Sequence, residues 1–268
     1  MQQTLPSIIE AIQKRRSCRQ FDNTILTSEH AEKIQKFMKE METPFEHQVS
    51  ITYHVVPQNE DIVYFQGPQQ FVALSSTHLP VEQAKLGFLG EHLILYSESI
   101  GVRTCWMGHY RIKQVHDIVY GTSKSAIDHS LYCIILLGYV PEKTSLVDRF
   151  SQKRMSKKNR TLEYFLHKEY LTEFPNFIRS SLELASRAPS AMNSQKWYYL
   201  VQKSDKGYTI ELSKPKGYQH FKWKHYDIDV GTAAAHLWLG LRNAGISTEV
   251  KIDDREGDAV WSFSCSSY

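Results

Sequence analysis

Three arginines and a serine crowd into five positions of the run K-R-R-S-C-R-Q-F, residues 14–21. Arginine presents a planar fork of donors that matches phosphate, and serine adds a short hydroxyl donor. Arg15, Arg16, Ser17 and Arg19 are therefore candidates for an anion clamp. Cations at a helix end also gain about 0.3–1 kcal/mol from the helix dipole, and basic tails of this kind are common. Taken alone, the run leaves both readings open. A second run, R-A-P-S-A-M-N-S-Q-K-W at 187–197, sets Ser190, Asn193 and Gln195 on a short loop behind Pro189, which cannot continue a helix. Their hydroxyl and amide groups could read the edge of a planar heterocycle. They could equally bond their own backbone in a turn. A third run, G-V-R-T-C-W-M-G-H-Y at 101–110, has glycines that let a ligand approach its backbone, while Trp106 and Met107 also suit a plain core.

Several other chemistries are not indicated. The twelve histidines form no H-E-x-x-H pattern, and the four cysteines, Cys18, Cys105, Cys133 and Cys265, form no C-x-x-C. No metal site is expected, and reduced thiols point to the cytoplasm. The apolar run at 131–140 is ten residues long, half of the roughly 20 that span a bilayer. The first residues, M-Q-Q-T-L-P-S, lack a basic-then-apolar secretory pattern. Lys and Arg number 32 against 29 Asp and Glu, a net charge of +3, so neither a membrane nor a nucleic acid is expected as partner. The basic run 153–160 has few interleaved aromatics and does not change this. With 41% hydrophobic and 23% charged residues, the 268-residue chain is globular and long enough for one large or two small domains.

The elements that position these runs repeat. Residues 85–102 and 229–246 read as long helices, apolar around most of their circumference and each closed by a glycine. At an offset of 144, Gly87 matches Gly231, His92 matches His236 and Gly101 matches Gly245. Residues 43–56 align without gaps on 188–201, at an offset of 145, with Pro44 on Pro189 and Tyr53 on Tyr198. The shared order is helix, proline turn, strand, strand, buried helix, which duplication explains. The first half adds a helix at 5–14, with apolar Leu5, Ile8, Ile9 and Ile12, and a buried strand near 131–138. The boundary falls near 160, so the halves are 1–160 and 161–268. His92 and His236 read as structural, bonded within or between the halves.

Together the three runs resemble the nitroreductase family of FMN-dependent flavoproteins. That family has R-R-S-x-R-x-F, here Arg15 to Phe21, then A-P-S-x-x-N-x-Q-P-W, here Ala188 to Trp197 with Lys196 at the proline position. It often has G-x-x-T-C-W-x-G, here Gly101 to Gly108. A G-Y-P-like turn is present as Gly138-Tyr139-Val140-Pro141, with Lys153 and Arg154 downstream. In the common form the second motif lies shortly after the first. Here that slot holds the degenerate T-P-F-E-H-Q, and the second half has no R-R-S-x-R. Family enzymes are typically homodimers that bind FMN at the subunit interface. The chain is therefore similar to a subgroup in which one polypeptide mimics the dimer, with one intact site and one lost.

The resemblance implies an α+β, nitroreductase-like fold: two mainly antiparallel sheet layers around buried helices at 85–100 and 229–244, forming a pseudo-dimer. It implies that Arg15, Arg16, Ser17 and Arg19 bind the phosphate, ribityl chain and pyrimidine edge of FMN, with Arg154 and Lys153 completing the phosphate clamp. Pro189, Ser190, Ala191 and Asn193 would contact the ring from the other half. Backbone groups of Thr104, Cys105, Trp106, Met107 and Gly108 would face it, and Gln195 would support the loop. The implied activity is ping-pong transfer of hydride from NAD(P)H to a nitroaromatic, quinone or similar acceptor, with no side-chain acid or base as catalyst. The alternative is a flavin-binding or scaffold protein without turnover. A monomer is expected, because a fused dimer has already buried its interface.

Overall fold

A computed structural model describes residues 5–22, 24–121, 130–141, 160–167, 173–216, 218 and 224–266. The first half opens with helix α1 (Leu5–Lys14), which buries Ile8, Ala11 and Ile12 at helical spacing. Helix α2 (Ser28–Glu40) begins at Thr27, whose Oγ1 accepts from the His30 amide at 3.3 Å. Strands β1 (Ser50–Val55) and β2 (Gln70–Ser76) follow, then the long helix α3 (Pro80–Ser99). Strand β3 (Arg103–Met107), helix α4 (Ile112–Tyr120) and strand β4 (Ser130–Gly138) complete it. The second half runs helix α5 (Asn176–Ala185), β5 (Tyr198–Ser204), β6 (Gly207–Ser213), the long helix α6 (Tyr226–Asn243), β7 (Thr248–Arg255) and β8 (Asp258–Ser266).

Each half builds one antiparallel four-stranded sheet, and the two share one strand order, β1-β2-β4-β3 and β5-β6-β8-β7. The two long helices start earlier than their apolar runs, at Pro80 and Tyr226. Pro80 suits a first turn, and the acidic Glu82, Asp227 and Asp229 favour helix N-termini. Both helices are buried on nearly every face, because they lie between the sheets and against each other.

The α3–α6 crossing has the form of a twofold contact. A side chain on Gly87 would run into the Ile228 carbonyl, and one on Gly231 would run into the Ala84 carbonyl. Residues 84 and 228, and 87 and 231, are each 144 apart, so position i meets j and position j meets i. The largest apolar cluster crosses the half boundary. Ile8, Ala11, Ile12, Ala84 and Phe88 share one apolar cluster with Leu182, Trp197, Leu237 and Trp261. Helix α1 thus belongs to the first half by sequence but packs on α6 as well as on α3.

Candidate functional site

The basic run leaves α1 and follows the open side of β3. Strand β3 lies at the end of its sheet, so one row of its peptide groups is left without a strand partner. The Cys18 amide donates to the Thr104 carbonyl on that edge at 2.9 Å, and the Asp22 amide donates to the Tyr139 carbonyl at 2.9 Å. Phe21 pins the segment. It is fully buried over Gly138, where a Cβ would come within 2.8 Å of its ring and 2.9 Å of Pro68. The first and third runs are therefore side by side.

Within the basic run the arginines differ. Arg16 turns back on its own helix, donating to the carbonyls of Gln13 at 3.1 Å and Arg15 at 2.7 Å. It behaves as cations at helix C-termini do. Arg15 points inward: Nε lies 3.7 Å from Glu91 Oε1, and Nη1 lies 3.5 Å from Ser17 Oγ. At 3.7 Å the first contact is an ion pair and not a hydrogen bond, and the buried Nε has no hydrogen-bond partner among the described residues. Cys18 is buried, while Ser17 and Arg19 on either side are half-buried.

Strand β3 buries Thr104 and Cys105, leaves Trp106 and Met107 half-buried and exposes Gly108. The Trp106 ring lies across Gly90 of α3, where any side chain would collide with it, and Nε1 donates to Glu91 Oε2 at 2.8 Å. Since Thr104 uses its carbonyl on the open edge, alternation along the strand puts the Trp106 main-chain groups on that edge too.

The 188–195 loop is clamped from several sides. The Gln195 amide donates to Ser190 Oγ at 2.8 Å, and Gln195 Nε2 donates to the carbonyls of Ser186 at 2.8 Å and Ala188 at 3.2 Å. The Ala191 amide donates to Asp229 Oδ1 at 3.0 Å, and Thr232 Oγ1 donates to the Pro189 carbonyl at 2.7 Å. Arg160 Nη1 reaches the Gln195 carbonyl at 3.2 Å. These bonds hold Met192, Asn193 and Gln195 at φ of 54°, 51° and 47°. That left-handed backbone costs non-glycine residues about 1–3 kcal/mol each. Asn193 is half-buried and Met192 is exposed.

One buried contact chain joins the halves at this place. Glu91 Oε1 lies 2.9 Å from His236 Nε2, and His236 Nδ1 lies 3.1 Å from the Leu184 carbonyl at the end of α5. Thr232, which holds Pro189, is one turn before His236 on α6. So Arg15 and Trp106 of the first half meet, through Glu91, the helix that carries the Pro189 loop. Glu91 and His236 side chains are wholly buried. His236 is bonded both within and between the halves. Glu91, Asp229 and Thr232 were not singled out from sequence. The signal for the first was a lone carboxylate inside G-F-L-G-E-H-L-I-L, since an acid in an apolar helix needs a partner. Lys153 and Arg154 lie outside the described residues.

The positions related to the site by the 144–145 offset carry different side chains. Phe45, 145 residues before Ser190, packs edge-on against Phe88 with centroids 5.0 Å apart and against Trp261 at 5.5 Å. Ala235 stands 144 residues after Glu91. His92 packs edge-on against Phe37 and Trp238, its Nδ1 has no hydrogen-bond partner among the described residues, and burial pushes its pKa down to about 4. Among the described residues no group of three His, Cys, Asp or Glu could hold a metal, and no helix is long and apolar enough to cross a membrane.

The profile of the family described as "Putative TM nitroreductase" matches residues 7–241. The chain belongs to this family. The structure of a protein from Thermotoga maritima MSB8, described as a "putative nitroreductase", superposes with a TM-score of 0.64 at 20% identity, covering 98% of this chain and 95% of that one. Less similar are two FMN complexes. One, a nitroreductase from Bacteroides fragilis NCTC 9343, has a TM-score of 0.42 at 15% identity, covering 63% of this chain and 98% of that one. The other, from Desulfovibrio desulfuricans, has a TM-score of 0.40 at 12% identity, covering 53% and 94%. No curated protein sequence matches the chain.

Proposed function

We propose that this chain is an FMN-dependent oxidoreductase that takes hydride from NADH or NADPH and delivers it to a nitroaromatic, quinone or similar acceptor by ping-pong turnover. Family membership supports the flavin chemistry. The observation that carries the site is the contact chain Arg15–Glu91–His236–Leu184, which brings the basic run and the Pro189 loop to one seam. FMN fits the residues found there. Arg15 Nε and Thr104 Oγ1 are buried polar atoms with no hydrogen-bond partner among the described residues, and Ser17 and Arg19 stand half-open beside them. A guanidinium–hydroxyl set of this kind suits a phosphate and a polar ring edge.

When bound, FMN supplies the two-electron chemistry, accepting hydride and passing it on. The chain's part is to bind and orient. Arg15, Ser17 and Arg19 hold the anionic end and the pyrimidine edge, and their positive charge favours the negative charge that reduction adds. Arg16 keeps the last turn of α1 closed beneath them. Pro189, Ser190, Ala191 and Asn193 cover the ring from the second half. On the edge from Thr104 to Gly108 the Thr104 carbonyl already accepts from the Cys18 amide, so the Trp106 main-chain groups are the ones offered to the ring.

The pseudo-dimer reading rests on the common strand order and the reciprocal Gly87–Ile228 and Gly231–Ala84 contacts. On this reading residues 1–160 and 161–268 are the two former subunits, and Phe45 has closed the second seam. We take the chain to act as a monomer in the cytoplasm, a compartment that suits four buried cysteines with no C-x-x-C spacing.

The test is a visible spectrum of protein reconstituted with FMN, followed by anaerobic titration with NADH and NADPH. Bound flavin that bleaches on titration and recovers its colour with a quinone is expected. Failure to bind FMN sinks the reading. Bound FMN that neither nucleotide reduces leaves a flavin-binding protein without turnover.

A further inference from the structure

We propose that Glu91 and His236, one from each half, are positioning residues that hold Arg15 toward the flavin while leaving its positive charge uncancelled. The inference rests on the flavin reading above. Its basis is a count of donors. His236 Nδ1 faces a carbonyl, that of Leu184 at 3.1 Å, which can only accept, so Nδ1 carries a proton. His236 Nε2 faces a carboxyl oxygen, Glu91 Oε1, at 2.9 Å, so one further proton lies between those two atoms. Whichever atom holds it, as imidazolium–carboxylate or imidazole–carboxylic acid, the pair is neutral in sum. Arg15 Nε, 3.7 Å from the same Oε1, is thus steered by a local partner whose charge is already spent on the histidine. The other carboxyl oxygen is fixed by Trp106 Nε1 at 2.8 Å, so the carboxyl plane cannot rotate away.

A lone buried Arg15–Glu91 pair would neutralise the clamp. With His236 present, the guanidinium is oriented and the Arg15–Glu91–His236 group keeps one net positive charge for an anionic ligand. The other seam shows the contrast: Ala235 replaces the carboxylate, and His92 is left with Nδ1 unbonded among aromatic rings.

The experiment is a double-mutant cycle on FMN affinity, read by quenching of flavin fluorescence on titration into apoprotein. Glu91→Gln keeps the side chain's shape and its hydrogen bonds to Trp106 and His236 but removes its charge. It should raise the FMN Kd about tenfold in the wild-type background and leave it unchanged in an Arg15→Gln background. A penalty of the same size in both backgrounds means that Glu91 supports the fold alone, and overturns the proposal. So does an unchanged or tighter Kd for the single variant. If Glu91→Gln does not fold, His236→Gln enters the same cycle. That variant leaves Glu91 charged against Arg15 and should weaken FMN at least as much, again only when Arg15 is present. A wild-type chain that binds no FMN at all overturns the flavin reading and this inference with it. Tight wild-type binding with no Arg15-dependent penalty overturns this inference alone.

Discussion

Arg16 and Arg19 belong to one basic motif, and the structure gives them different surroundings. Arg16 caps α1 through the Gln13 and Arg15 carbonyls, while Arg19 is half-buried on the segment that lies along the edge of β3. Arg19→Ala is therefore expected to raise the FMN Kd at least tenfold. Arg16→Ala should change it by less than about threefold and lower unfolding stability by about 0.3–1 kcal/mol, the size of a lost helix-end interaction. Parallel flavin titrations and urea melts separate the two. His92 makes a second prediction at this scale. The unfolded chain protonates this residue at its ordinary value of 6.5, but burial and the nearby Arg242 hold off protonation in the folded chain until about pH 4. The unfolded state thus binds the extra proton first, so His92 costs no stability above pH 6.5 and progressively more as pH falls to 4. Over that 2.5-unit window the loss approaches about 3 kcal/mol at 1.36 kcal/mol per unit. His92→Leu should flatten the acid limb of the stability curve by about that amount, measured by urea unfolding from pH 7 to 4.

At the scale of elements, the crossing of α3 and α6 decides the architecture. Backbone meets backbone at Gly87 and Gly231, with no space for a methyl group. Gly87→Ala or Gly231→Ala must push the helices apart, and overpacking of this kind costs about 1–3 kcal/mol or more. Chemical denaturation should show similar losses for both, since the contacts are reciprocal. A large loss at one and none at the other would deny the twofold character of the crossing. Much of this level was legible beforehand. The two long helices announced themselves by all-round apolarity and closing glycines, α1 by its apolar spacing, and β4 by a continuous buried run. The starts of α3 and α6 were not legible from hydrophobicity, because buried acids such as Glu82 and Asp227 interrupt the pattern there. Each carries its own partner. Glu82 pairs with Lys85 at 2.7 Å, and Asp227 with Lys214 at 2.8 Å.

For the whole molecule, the shared core sets the expectation. Residues of α1 and α3 interleave with those of α5, α6 and the second sheet, so neither half can bury all of its apolar surface alone. Residues 1–160 and 161–268 expressed separately should be poorly folded, and mixing them should restore far-UV dichroism and FMN binding. Two independently stable halves would contradict the shared core. The intact chain should bind one FMN, because Phe45, Phe88 and Trp261 fill the place that the second seam would need. A stoichiometry of two by absorbance titration would show that seam to be open.

What the amino-acid order settled by itself was local and periodic. Helical spacing, proline and glycine stops, and the recurrence of one pattern at a shift of about 144 are properties of neighbouring residues, and folding leaves them in place. The meaning of Arg15, Glu91 and His236 was of another kind. In sequence they are one arginine of a basic run, an odd acid in an apolar helix and a histidine that recurs at the 144-residue shift. Their function depends on a carboxyl group 2.9 Å from an imidazole 145 positions away. Only tertiary packing sets that distance, because it is decided by two helices crossing at glycines that have no side chain to keep them apart.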